Sequence, residues 1–169
     1  VPYSIKEAVE KVYLPELIRV VDLLKQKVEE WGKVTLLART HGQAASPTRM
    51  GKEIQVFVER IEKQLILLRT IPFNAKFGGA TGNFNAHHVA FPEINWKKFA
   101  DKFISNAFKL ERQQTTTQIE HYDNLSALMD NIRRINTILI DFSKDIWAYV
   151  SMDYFKQKIK KGEVGSSAM

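Results

Sequence analysis

Apolar residues recur at helical spacing along most of this chain. From Ser4 to Trp31 they fall at Ile5, Ala8, Val9, Val12, Leu17, Val20, Val21, Leu24, Val28 and Trp31, with Glu and Lys on the other face, the pattern of an amphipathic helix. Pro15 interrupts it, so either the helix kinks there or a short helix ends near Tyr13 and a new one starts at Pro15. Gly32 is placed to cap the segment, and Val34 to Ala38 form a brief apolar run. A second helix is predicted from Pro47 to about Thr70. Ser46 offers an N-cap side chain, Pro47 suits the first helical position, and Met50, Ile54, Phe57, Val58, Ile61, Leu65 and Leu68 share one stripe. Val56, Ile66 and Leu67 lie off that stripe. A helix apolar on more than one side is buried on more than one side, as in a bundle within a larger assembly. Pro72 ends it.

Phe77 to His88 is the one extended glycine-rich stretch, and Phe91-Pro92-Glu93 punctuates the chain after it. Asn95 to Phe108 reads as a shorter amphipathic helix with Trp96, Phe99, Phe103 and Ile104 inward, aromatics that pack a core. Thr115 to His121 is polar and β-branched, a poor helix interior and a good approach to a helix start. From Ile119 to about Lys158 the apolar positions Tyr122, Leu125, Leu128, Met129, Ile132, Ile135, Leu139, Phe142, Ile146, Trp147 and Val150 predict the longest helix. Roughly forty residues at about 1.5 Å each extend about 60 Å, further than one small domain covers. The pattern as a whole predicts an all-α, long-helix bundle in which residues 1–169 form a single domain.

With 169 residues, 44% of them hydrophobic, the chain is long enough for a real core. It has no cysteine, which removes a disulfide framework and a thiolate metal site and fits a cytoplasmic location. No apolar run reaches membrane-spanning length, and Val1-Pro2-Tyr3-Ser4 resembles neither a signal peptide nor a transit sequence. The sequence begins without Met and stops inside a motif, so a piece of a longer protein is expected. The net charge of +6 comes from 25 basic and 19 acidic residues that mostly alternate at helical spacing. The dense cluster Lys156, Lys158, Lys160 and Lys161 lacks interleaved aromatics and reads as a solvated helix end, so neither nucleic acid nor membrane is an expected partner. A small anionic substrate fits.

The glycine-rich stretch lacks P-loop spacing and follows no βαβ strand, which excludes nucleotide-triphosphate and dinucleotide fingerprints. His87 and His88 are adjacent and have no carboxylate or third His at ligand spacing, so no metal site is expected. More informative is Thr40-His41-Gly42-Gln43, just ahead of the helix predicted from Pro47, where polar side chains can meet an anion. Imidazoles as a class titrate near physiological pH, which suits proton transfer. On pattern alone, though, a His beside a Gly is also an ordinary capping residue.

The motif Thr40-His41-Gly42-Gln43-x-x-x-Pro47-Thr48-x-x-Gly51 resembles a signature region of the fumarase/aspartase superfamily, in the wording of its adenylosuccinate lyase branch. Gly165-Ser166-Ser167-Ala168-Met169 is similar to the start of that superfamily's Gly-Ser-Ser-x-Met signature. Gly79-Ala80-Thr81-Gly82-Asn83-Phe84-Asn85-Ala86-His87, Thr116-Thr117-Gln118-Ile119-Glu120 and Asp141-Phe142-x-x-Asp145-Ile146-Trp147 resemble the longer bacterial-type adenylosuccinate lyases. The matches fall in order and cover nearly the whole chain.

The resemblance implies the central helical domain of a lyase that works as a homotetramer, with active sites shared between subunits and no cofactor. It implies release of fumarate from adenylosuccinate and from the succinyl-aminoimidazole-carboxamide ribotide, small anionic nucleotides. Such an elimination removes a proton beside a carboxylate and protonates the departing nitrogen, so it needs a base and an acid. By this resemblance Ser166 is the base and His41 the acid, while Thr40, Gln118, Ser167, Asn83 and Asn85 bind substrate. Glycines at 162 and 165 suit a mobile loop around Ser166. The 169-residue chain alone is expected to be inactive, because the family's remaining signature residues lie outside it. Another fumarate-releasing lyase such as an argininosuccinate lyase, or a non-catalytic helical scaffold, stays open at this point.

Overall fold

The computed structural model describes residues 1–158 and 160–162. Its frame is three long helical segments packed side by side. The first comprises α1 (Pro2–Ala8), a π turn (Val9–Tyr13) and α2 (Leu14–Glu30), and it runs through Pro15 without a break. A proline ring collides with the carbonyl four residues back, here that of Lys11. The widened turn lies across that position, and the Leu14 N–H reaches back five residues to the Val9 carbonyl. The alternative of a short helix ending near Tyr13 and a new one starting at Pro15 is not what forms: the irregularity is absorbed inside one continuous helical segment.

The second segment, α3 (Met50–Thr70), buries Met50, Ile54, Phe57, Val58, Ile61, Leu65 and Leu68, the full stripe expected of it. It lies antiparallel to α2. Antiparallel to it on another side runs α6 (Asp123–Ser151), where Phe57 meets Phe142 with ring centres 5.3 Å apart, Arg60 pairs with Asp141 at 2.9 Å, and Leu68 and Leu128 share a cluster. Leu17, Val21 and Leu24 of α2 and Ile135 and Ile138 of α6 close the main core around α3. Asn131 sits wholly buried among these apolar residues, its amide donating to the Gln64 carbonyl at 3.2 Å. At 29 residues, α6 is shorter than the sequence predicted. Ile119 to Tyr122 stay outside it because Tyr122 turns left-handed, φ 65°, and the chain after Ser151 turns again at Asp153, φ 62°.

The most consequential departure lies between α2 and α3. The predicted helix start at Ser46 and Pro47 is replaced by an antiparallel hairpin of β1 (Thr35–Thr40) and β2 (Gln43–Arg49), and α3 begins only at Met50. Pro47 sits opposite Leu37, and the register shifts between Leu37 and Arg39, so Ala38 faces two residues, Ala45 and Ser46. A proline is tolerated on such a ribbon because no third strand needs its N–H.

Gly51 fixes where the hairpin joins the bundle. A Cβ there would stand 2.5 Å from the Val28 carbonyl and 2.8 Å from the Gly32 Cα, both backbone atoms. The Gly51 N–H donates to the Trp31 carbonyl at 3.1 Å, so the end of α2 and the start of α3 touch directly. Gly51→Ala is therefore expected to destabilise the protein by about 3 kcal/mol, since neither neighbour can move aside. A lower urea midpoint at unchanged slope measures it, and a midpoint equal to the parent's would refute the argument.

A smaller unit covers the other end. Strands β3 (Asn74–Ala75) and β4 (Glu111–Arg112) pair in parallel beside α4 (Asn85–Ala90) and α5 (Trp96–Phe108). Asn95 caps α5, accepting from the Lys98 N–H at 3.0 Å. Ala100 and Ile104 are the buried residues of α5, whereas Phe99 and Phe103, expected inward, are nearly half exposed on an aromatic cluster around Phe77. The molecule is mostly helical with a few short strands, and a substantial apolar surface stays uncovered. Val12, Val20, Val56, Ile66, Leu67, Met129, Ile140 and Trp147 are exposed large hydrophobics on the three long segments.

Candidate functional site

The hairpin presents Thr40, His41 and Gln43 at its tip. A two-residue loop closes it, with positive φ at both His41 (51°) and Gly42 (74°), the type I′ geometry whose twist matches the flanking strands. The ribbon is almost wholly solvent-exposed apart from Leu36, which is inserted in the main core. Thr48 Oγ1 donates to Glu53 Oε1 at 2.8 Å across the entry to α3. On the β1 side Tyr154 donates to the Leu37 carbonyl, and Arg39 donates to Tyr154 Oη and to the Gly42 carbonyl, each at 3.3 Å. Nothing in the local sequence pointed to Tyr154, because its partners lie more than a hundred residues away. Arg39 directly precedes the Thr40 motif, and nothing in the sequence was ground for assigning it a role.

Beneath the hairpin, acidic groups gather between α3 and α6. Burial raises the Asp145 carboxyl above its ordinary value, with Asp141 and Glu53 adding to it and Arg60 opposing. Burial likewise pushes the Tyr149 hydroxyl up to about 12, reinforced by Glu53, Asp145 and Tyr154. Both shifts favour the neutral form relative to water.

Gln118 lies at the opposite end of the bundle. It lines a pocket of about 370 Å³ together with Pro2, Ile5, Phe73, Asn74, Tyr122 and Leu128. The glycine-rich stretch comes to the same place, since a Cβ on Gly82 would stand 2.0 Å from the Thr116 carbonyl, two residues before Gln118. Asn83 and Asn85 flank Phe84, a buried residue in the left-handed region, and Thr81 Oγ1 donates to Asn85 Oδ1 at 3.4 Å. Arg112 anchors this loop from below. Only 5% exposed, it bonds Asp101 at 2.6 Å, the Phe77 carbonyl at 3.3 Å and Gln114 at 2.8 Å. Hydrogen bonds from Gln114 and Arg112 lower the Asp101 carboxyl below its ordinary value. His87 packs edge-on against Phe77, Phe84 and Trp96, with ring centres 5.9, 5.5 and 4.9 Å away, so it belongs to the aromatic cluster that shapes the loop.

The expected site residues therefore fall into two groups. Gln118 lies at the end of α3 that carries Thr70, where the loop of Asn83 and Asn85 reaches the segment before it through Gly82 and Thr116, and Thr40 and His41 project beyond the end that carries Met50. The 21 residues of α3 put about 30 Å between those ends. Ser166 and Ser167 lie outside the described residues. Among the described residues no group of His, Cys, Asp and Glu is arranged to hold a metal ion, and no helix is long and apolar enough to cross a membrane.

Three long antiparallel helical segments with polar loops at both ends are consistent with the mostly helical domain of a lyase. The chain matches the lyase family over residues 1–169 and belongs to it, in agreement with the fumarase/aspartase resemblance of its motifs. Adenylosuccinate lyase of Dictyostelium discoideum is 53% identical over 172 aligned residues, covering all of this chain and 37% of that protein. The adenylosuccinate lyases of Vibrio cholerae and Escherichia coli K12 are 43% and 40% identical over 98% of this chain and 36% of their own lengths. The chain thus spans little more than a third of these relatives.

Proposed function

We propose that the protein containing this chain is an adenylosuccinate lyase of purine biosynthesis, for which residues 1–169 supply the single central helical domain. The observation that carries this reading is 53% identity to such an enzyme along the entire chain, loops included. In the proposed reaction Ser166 takes the proton beside a succinyl carboxylate, the resulting carbanion expels the linked nitrogen as fumarate forms, and His41 protonates that nitrogen. A serine hydroxyl becomes basic only in surroundings that stabilise its anion. Thr40, Gln118, Ser167, Asn83 and Asn85 bind the substrate and hold it in register, and the reaction as written needs no cofactor.

The same reading makes the enzyme a cytoplasmic homotetramer with shared sites. The two-ended distribution of Thr40 and His41 against Gln118 supports sharing, because a succinyl group is far shorter than α3. Uncovered apolar residues on all three long segments support association. The net charge of +6 suits substrates carrying a phosphate and two carboxylates.

The test is fumarate release from adenylosuccinate by the full-length protein. Turnover supports the assignment. A folded protein that leaves adenylosuccinate untouched but cleaves argininosuccinate would move it to another branch of the family.

A further inference from the structure

The hairpin that carries His41 is poorly secured by its own sequence. Two-stranded ribbons are marginal alone, most of this one is exposed, and its buried apolar anchor, Leu36, lies five residues before His41. The turn is also unusual in its first residue. A type I′ turn requires positive φ at both central positions and favours Asn, Asp or Gly there, but His41 occupies the first with φ 51°. The tip must therefore be oriented by contacts from outside the ribbon.

Those contacts come from the segment after α6. The turn at Asp153 folds the chain back, the Tyr154 and Phe155 N–H groups returning to the Tyr149 carbonyl at 2.9 and 3.2 Å. Phe155 lies 5.0 Å from Trp31 at the end of α2, and the Tyr154 ring packs 6.0 Å from Tyr149. So held, Tyr154 donates its hydroxyl proton to the Leu37 carbonyl, which in this antiparallel register points outward, away from β2. The Tyr154 hydroxyl oxygen in turn accepts from Arg39 Nε, and a terminal nitrogen of that guanidinium donates to the Gly42 carbonyl, inside the turn itself. A fixed fork is what allows one side chain to serve both partners.

We propose that Arg39 and Tyr154 are positioning residues, a hydrogen-bonded relay that sets the His41–Gly42 turn from the segment following α6. This rests on the reading of His41 as the acid. The relay makes the placement of the imidazole depend on the return of the chain after α6, twelve residues ahead of Ser166 in sequence.

The experiment compares Tyr154→Phe, Arg39→Lys and the double variant in the full-length protein, with His41→Asn as reference and fumarate release as readout. Tyr154→Phe keeps the ring and its packing and removes the hydroxyl, and Arg39→Lys keeps the charge and removes the fork. Each is expected to lower kcat about 10- to 100-fold, the scale of a misplacement near 1 Å, with KM changed less than about threefold. The double variant is expected to be no worse than the weaker single, because one relay is cut once or twice. Parental kcat in Tyr154→Phe, full activity in Arg39→Lys, losses that multiply in the double, or a loss confined to KM would each overturn the relay. The last result would make Arg39 a direct anion ligand instead. If His41→Asn keeps the parental rate, the reading of His41 falls; if it is inactive while Tyr154→Phe is not, only the relay falls.

Discussion

His41→Ala in the full-length protein is expected to slow fumarate release about 10³-fold at unchanged assembly, the scale of losing a positioned general acid. In the proposed reaction the departing nitrogen is the exocyclic amine of a purine or the carboxamide nitrogen carried by an imidazole, and expelling either as an anion raises the barrier steeply. His41 stands at an exposed hairpin tip, where its ring contributes nothing to the main core, so the loss is chemical rather than structural. His41→Asn separates the two further, because Asn accepts the left-handed backbone found there, φ 51°. Both replacements should be equally slow if the imidazole is what matters. Ser166→Ala is expected to lose a comparable factor, since no other base is proposed for the carbon-bound proton. Activity within tenfold of the parent in either His41 variant would remove the acid from the proposed mechanism.

The fold was legible where one helix face decides it. Every residue of the stripe from Met50 to Leu68 is buried, and Val56, Ile66 and Leu67, off that stripe, are exposed on a second apolar side. The hairpin was not legible from the same rules. Ser46 and Pro47 carry the signals of a helix start, but a fixed φ near −65° also suits an extended ribbon edge. Pairing with Thr35–Thr40 decided between them, and that partner is no part of a local pattern. A His-Gly pair between short β-capable runs was the available clue. The long helix was overestimated for a related reason: Tyr122 and Asp153 adopt left-handed backbone without being glycine, so nothing in their type announces a boundary.

For the site, motifs gave the residue types and the structure gave their distribution. Thr40 and His41 on one side, and Asn83, Asn85 and Gln118 on the other, are separated by the length of α3. Arg112, which anchors the glycine-rich loop, was passed over because a lone Arg in a polar stretch looks like any exposed cation. Its burial is set by Asp101 and Gln114, eleven residues before it and two after.

The same separation predicts that two inactive proteins restore each other. About 30 Å along α3 keeps His41 and Gln118 of one chain from touching one succinyl group. If both serve the reaction, each site must take them from different chains. His41→Ala and Gln118→Leu proteins, each assayed alone, are expected to be nearly inactive. Unfolded together in equal amounts and refolded into mixed assemblies, they should regain turnover, because about one site in four then draws its His from one intact source and its Gln from the other. A site built within a single chain predicts the opposite, since every chain in the mixture carries a defect and no site is whole. Recovered activity near a quarter of the parent's, at parental KM, supports the shared site; a mixture as inactive as its components rules it out.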